Sequence, residues 1–196
     1  MNEQLKSLIA RTRSGVYFST KFISSLLDPS PVVKQSLELA DEYLQSGKPI
    51  FYVAGALTNV DNPKITERYE ATANLIHELG GLSYLPHEHG SDPRLHPSFS
   101  PDDIYMIDFL WGVVLATAVI VWASPPSLGV GVQLGWCDTY QIPTLLFQPA
   151  EEKLSRLAEA IAQRVTVVRY EQEKDWHDAL RAFIEKERLI AGKDAK

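Results

Sequence analysis

The run Pro126-Ser127-Leu128-Gly129-Val130-Gly131-Val132-Gln133-Leu134-Gly135 concentrates the residue types best suited to holding a small ligand. Gly129 and Gly131 let backbone approach a bound group closely, and N–H groups at a helix start favour an anion. The run lacks the Gly-Lys-Ser/Thr ending of a Walker loop. It also does not stand after the first strand, where the dinucleotide fingerprint belongs. By spacing alone it fits a tight strand-to-helix turn as well as a binding loop. A second concentration is His87-Glu88-His89 with His96, in a stretch from Pro86 to Ser100 that holds three histidines and three prolines. Alternating histidines can chelate a transition metal, with Asp92 or Asp102 adding oxygen ligands. There is no His-Glu-x-x-His helix and no cysteine pair, so pocket lining or ordinary loop polarity fits these residues better than a metal. Cys137 lies one helical turn beyond Gln133 with no base partner in sequence, and reads as a small buried hydrophobe. Trp111, Trp122 and Trp136 read as core or subunit-interface residues, with Trp122, at a strand end, also placed to stack on a flat ligand ring.

These residues need elements to position them. From Pro49 onward the chain alternates strand and helix: strand Ile50–Ala54, a helix starting at Asn62–Pro63, and strand Leu82–Leu85. Ser100-Pro101-Asp102-Asp103 has the form of a capping box, with Asp for the usual Glu, and opens a helix over Ile104–Leu115. Strand Ala118–Trp122, a turn over Ser124–Gly131 and helix Val132–Tyr140 follow. Strand Pro143–Phe147, helix Glu151–Gln163, strand Val165–Val168 and an amphipathic helix Glu171–Glu187 complete the series. Such alternation implies an α/β fold, a parallel sheet with helices on both faces. Ligands in these folds bind beyond the carboxyl ends of the strands, which directs attention to Gly55–Asn62, Pro86–Asp103 and Ser124–Gln133. Residues 1–48 differ. They read as helices Gln4–Arg11, Val16–Leu27 and Pro31–Gln45, an N-terminal extension without recognisable chemistry that serves packing or oligomerisation.

Bulk properties narrow the function classes. The 196 residues, 45% hydrophobic and 22% charged, suit one globular domain with an appendage. A net charge of −6 without a basic run argues against a nucleic-acid polymer as partner. The single cysteine forbids an intrachain disulfide and fits a reducing, cytoplasmic setting. Met1–Ile9 carries Glu3 and Lys6 and does not read as a secretory signal. The apolar stretch Phe109–Ala123 is shorter than the ~20 residues a bilayer requires, and reads as a buried helix running into a buried strand.

Pro126–Gly135, taken with Tyr52-Val53-Ala54-Gly55 and Ile104-Tyr105-Met106-Ile107-Asp108, resembles the nucleoside 2-deoxyribosyltransferase superfamily. The nearest branch is that of the 2′-deoxynucleoside 5′-monophosphate N-glycosidases. The resemblance spans about Pro49 to Phe183 and places the family's domain over residues 49–190. It implies a flavodoxin-like, doubly wound five-stranded sheet, commonly homodimeric, with no cofactor. The implied ligand is a nucleoside or nucleotide, cleaved or transferred at the base–sugar bond. In the family's pattern a glutamate attacks the anomeric carbon, an aspartate assists and a first-strand tyrosine lines the pocket. Carried over by position, these fall on Gln133, Asp108 and Tyr52. Ser127 would meet the phosphate, His89 would border the pocket, and Gly55, Gly129 and Gly131 would approach the substrate.

Gln133 departs from that pattern, because covalent glycosidase chemistry needs an ionised carboxylate and an amide is neutral and weakly nucleophilic. Ala56 and Thr58 likewise stand where phosphate-contacting side chains belong. Three readings of Gln133 follow: the natural residue of a binding protein or repurposed enzyme, an engineered substitution that traps substrate, or a site in which Asp108 or Glu88 acts instead. At the level of function, an enzyme of N-glycosidase or deoxyribosyltransferase type stands beside a non-catalytic nucleotide sensor on the same fold. A purely structural oligomerising protein would give the glycine-bearing run little purpose. The homodimer expectation has a direct check: light scattering at high concentration should report about twice 22.0 kDa, and 22.0 kDa would contradict it.

Overall fold

The computed structural model describes residues 18–57, 63–89, 92 and 96–194. Helix Gln4–Arg11, the start of the next helix at Val16, the helix start at Asn62, and Thr58 lie outside the described residues. Five strands form one sheet: β1 (Ile50–Ala54), β2 (Leu82–Tyr84), β3 (Ala118–Trp122), β4 (Thr144–Pro149) and β5 (Thr166–Tyr170). Their order is β2-β1-β3-β4-β5 and every pairing is parallel. This is the flavodoxin-like order, whose ligand crevice opens where the strand order reverses between β1 and β3. β1, β3 and β4 are buried along their whole length, and their sequences run IFYVA, AVIVW and TLLFQP without polar alternation. A strand covered on both faces is free to be apolar at every position.

Alternation along the strands divides the core in two. Phe51, Val53, Ile120, Trp122 and Phe147 face α3 (Pro63–Glu78) and the last helix, α8 (Glu173–Asp194), which contribute Tyr69, Ile76, Trp176 and Leu180. Tyr52, Ala54, Val119, Val121 and Leu146 face the other side. There they meet α1 (Thr20–Leu27), α2 (Pro31–Gln45), α5 (Pro101–Phe109) and α6 (Leu128–Thr139). The remaining helices are the single turn α4 (Pro86–His89) and α7 (Arg156–Ala162). Fully buried side chains such as Ile120 each contribute roughly 1.5–3 kcal/mol to folding.

Several expectations are corrected. The helix expected through Leu115 ends at Phe109 and continues as a π-helix over Leu110–Leu115. The glycine-bearing segment is helical from Leu128 rather than Val132, because extended Ser127 starts the helix and its carbonyl accepts from Gly131 N–H. The loop after β2 contains α4. The helix before β5 starts at Arg156, behind a Ser155 side-chain cap, rather than at Glu151. Trp122 is fully buried against Phe147 and Trp176, on the opposite side of the sheet from Tyr52, so it is a core residue and not a stacking platform. Phe22, Leu26, Val33 and Ala40 of the first two helices belong to the main core cluster. Among the described residues no helix is long and apolar enough to cross a membrane.

The capping box at Ser100 forms and also ties α5 to α2. Asp103 N–H donates to Ser100 Oγ at 3.1 Å, and Asp103 Oδ2 accepts from Ser100 N–H at 3.0 Å. Ser30, the N-cap of α2, donates its hydroxyl to Asp103 Oδ1. Burial opposes the Asp103 charge, but the hydrogen bonds from Ser100 and Ser30 outweigh it and hold the carboxyl below its ordinary value. Asp103→Ala should therefore lower stability by roughly 1–2 kcal/mol in urea at pH 7. A folded pKa below the unfolded one contributes stability above the unfolded value and loses it as pH falls through the folded value. The gap between variant and wild type should thus narrow below about pH 4, and a gap unchanged at low pH would contradict the assignment.

Candidate functional site

A cavity of about 480 Å3 opens between the carboxyl end of β1, the first turns of α6 and one face of α5. That volume falls in the range of small-molecule sites. Each element presents its polar residue for a local reason. Tyr52 lies on β1, two residues before the strand end, and is 4% exposed. Its hydroxyl donates to Asp108 Oδ1 at 3.0 Å. Burial, and then the charge of Asp108, push the Tyr52 phenol well above its ordinary value, so it acts as a donor at neutral pH. Asp108 stands near the end of α5, on the face turned to the sheet end.

Ser127 has extended backbone and starts α6, yet its hydroxyl does not cap the helix. It lines the cavity beside Gly129 and the N–H groups of the first turn, where an anion is favoured. Gly55 is required by packing, since a Cβ there would overlap the phenol of Tyr69, which donates to the Ala56 carbonyl at 3.1 Å. Gln133 is 3% exposed and one and a half turns into α6. Its Nε2 donates to the Gly112 carbonyl at 3.3 Å, inside the π-helix that continues α5.

The structure therefore brings Tyr52, Gly55, Asp108, Ser127, Gly129 and Gln133 to one cavity. Gly131 does not line it; its Cα faces open space on the exposed side of α6. His89 does not line it either. The single turn of α4 carries the imidazole onto Tyr84, at a ring distance of 5.0 Å, and into a second cavity of about 500 Å3 with Glu88, His96, Glu38 and Glu42. Burial lowers the His89 pKa, so the ring is neutral at pH 7. Glu88 accompanies it, which leaves Asp108 as the carboxylate among the described residues lining the first cavity. Ala56 is buried and takes no part in the lining. Among the described residues, no group of three or more His, Cys, Asp or Glu is placed to hold a metal ion.

Two aromatic walls were not singled out as ligand-facing from the sequence. Tyr105 and Trp136 line the cavity and meet edge to face at 5.6 Å. The signal was present: Tyr105 precedes Asp108 by three residues and Trp136 follows Gln133 by three, a spacing that puts neighbours on one helix face. Behind the site, Tyr52 stacks on Tyr84 at 5.8 Å and Tyr84 on Trp111 at 4.1 Å. Trp111 Nε1 donates to Ser36 Oγ of α2 at 2.7 Å, so the N-terminal helices steady the floor of the cavity.

No protein-family model matches the chain, and no curated protein matches it in sequence. Among solved structures, the CMP N-glycosidase BcmB of Clostridium botulinum superposes with a TM-score of 0.54 at 16% identity, covering 68% of this chain and 98% of that one. A conserved protein from Enterococcus faecalis V583 superposes with a TM-score of 0.50 at 14% identity, covering 71% and 98%. At these identities the likeness is one of fold.

The buried tyrosines generate an alkaline test. A phenol whose folded pKa is raised contributes stability below the unfolded value and loses it as pH rises towards the folded value. Tyr52 and Tyr84 are both raised, chiefly by burial. Stability in urea should therefore fall above about pH 10. Tyr52→Phe should cost roughly 1.5–3 kcal/mol at pH 7, the worth of a hydrogen bond to a charged group, and should flatten the decline above pH 10. An unchanged alkaline slope would contradict the buried pairing with Asp108.

Proposed function

We propose that this cleft binds a nucleoside 5′-phosphate, and that its chemistry, where it acts, is at the base–sugar N-glycosidic bond. The observation that carries the reading is the convergence of Tyr52, Asp108, Ser127 and Gln133 on one cavity at the β1/β3 switch point. In this reading the phosphate lies at the N-terminus of α6 with Ser127. The sugar lies between Asp108 and Gln133, and the base rests against Tyr105 and Trp136. The fold shared with a CMP N-glycosidase supports it. Among the described residues the lining contains no Lys or Arg, so the phosphate is held by backbone N–H groups and one hydroxyl.

The chemistry follows from the carboxylate count. Retaining glycosidases use one carboxylate as nucleophile and a second as acid and base. Here Gln133 occupies the position that the resemblance assigns to the nucleophile, and Glu88 faces the other cavity. Asp108 is left to activate water by itself, with Tyr52 holding one of its oxygens. Covalent turnover through residue 133 is not available, because an amide cannot serve as the carboxylate nucleophile. The amide favours a second reading, a nucleotide-binding module without turnover, and one experiment separates the two.

CMP at a hundred times its dissociation constant should stabilise the protein by about 2.7 kcal/mol, seen as a thermal shift. Chromatography should detect free base from CMP slowly or not at all, and Asp108→Asn should abolish any release. Gln133→Glu removes the donor to the Gly112 carbonyl and sets two oxygens against each other, which turns the new carboxylate towards the cleft. In an enzyme-derived site this variant should raise release at least about a hundredfold, a part of the roughly 10⁴–10⁶ that a covalent nucleophile is worth. Binding without release by Gln133→Glu identifies a binding module. Rapid release by the wild type, insensitive to Asp108→Asn, overturns the mechanism.

A further inference from the structure

The carboxamide of Gln133 can face its surroundings in only one way. Its nitrogen lies 3.3 Å from the Gly112 carbonyl oxygen and 3.8 Å from Cys137 Sγ. A carbonyl oxygen only accepts, so the NH2 must turn to Gly112, and Oε1 is the atom Gln133 can offer to the cavity it lines. Packing enforces the same placement. A Cβ on Gly112 would lie 2.6 Å from Nε2, 2.8 Å from Oε1 and 3.0 Å from Cδ. The amide therefore lies flat on the bare backbone of Gly112, in a place that any larger residue would take from it.

Gly112 follows Asp108 by four residues on one continuous helical stretch. Residues so spaced on a helix share a face, and Asp108 and Gln133 line the same cavity. The Gln133 amide on Gly112 and the Asp108 carboxylate therefore serve one ligand space, and both can accept from a ligand. Two acceptors on one cavity can clasp two donors on neighbouring carbons. Vicinal hydroxyl groups of a pentose meet that requirement, whereas a 2-deoxypentose leaves one acceptor unsatisfied.

We propose that Gln133, held by Gly112, makes the cleft select ligands with two adjacent sugar hydroxyls, so that it takes ribonucleotides in preference to 2′-deoxyribonucleotides. The proposal rests on the reading of the cleft as a nucleoside 5′-phosphate site. Gln133 is the contact and Gly112 the positioning residue. An acceptor buried without its donor is costly, and the expected preference is roughly tenfold or more in dissociation constant.

The test is calorimetric titration of the full chain with CMP and dCMP, and with ribose 5-phosphate and 2-deoxyribose 5-phosphate as base-free probes. Wild type should bind the ribose member of each pair at least about tenfold more tightly. Gly112→Ala displaces the amide and should bring the ratio close to one. Gln133→Met keeps the bulk, lacks the acceptor and should do the same; it decides the matter if Gly112→Ala does not fold. A ratio near one in the wild type overturns this inference and leaves the nucleotide reading standing. A preference that survives Gln133→Met also overturns it, and one that survives Gly112→Ala alone removes the positioning role of Gly112. Binding of none of the four ligands by the wild type overturns the inference and the nucleotide reading together.

Discussion

The stretch from Pro101 to Leu115 has to meet a polar group from each side while most of its surface is buried in apolar contacts. From the sheet comes the Tyr52 hydroxyl, which donates to Asp108. From α6 comes the Gln133 amide, which donates to the Gly112 carbonyl. Buried polar groups are tolerated only when partnered, so each bond sets how closely its element can approach. Gly112 provides the space for one, and the end of regular α-helix at Phe109 accompanies the other. π-Helical turns are uncommon and recur at functional sites. Here the turn carries the residue on which the amide rests.

The N-terminal helices enter the same arrangement from behind. Ser36 accepts from Trp111, Trp111 stacks on Tyr84, and Tyr84 stacks on Tyr52. Ser30 reaches the cap of α5 through Asp103. α1 and α2 therefore contribute both to the hydrophobic core and to the rigidity of the Tyr52–Asp108 pair. A site held from three directions is suited to reading a ligand by geometry, since pre-organisation lowers what binding must spend on ordering.

Much of this was legible in the residues. β1 and β3 run over Ile50–Ala54 and Ala118–Trp122 as expected, because strands buried on both faces announce themselves as unbroken apolar runs. α2 keeps its expected bounds, Pro31–Gln45, with Gly47 just beyond its end. The Ser100 capping box formed with Asp in place of Glu. The π-helix was hidden because Leu110–Leu115 is buried on nearly every side and shows no period to read. The early start of α6 was hidden by Gly129 and Gly131, which signal a turn more strongly than a helix. The position of His89 depends on the single turn of α4, and the support from Ser36 depends on contacts 75 residues apart. Neither leaves a local pattern.

The cleft joins a helix start suited to an anion, a tyrosine–aspartate pair and an amide where a carboxylate would serve covalent chemistry. The most direct measurement is the crystal structure of the full chain with a nucleoside 5′-phosphate bound. The account predicts the phosphate within hydrogen-bond reach of the Gly129 and Val130 N–H groups and of Ser127, the sugar against Asp108 and Gln133, and the base beside Trp136. A ligand seated in the second cavity by His89 and Glu88, or one that leaves Asp108 and Gln133 untouched, would contradict it.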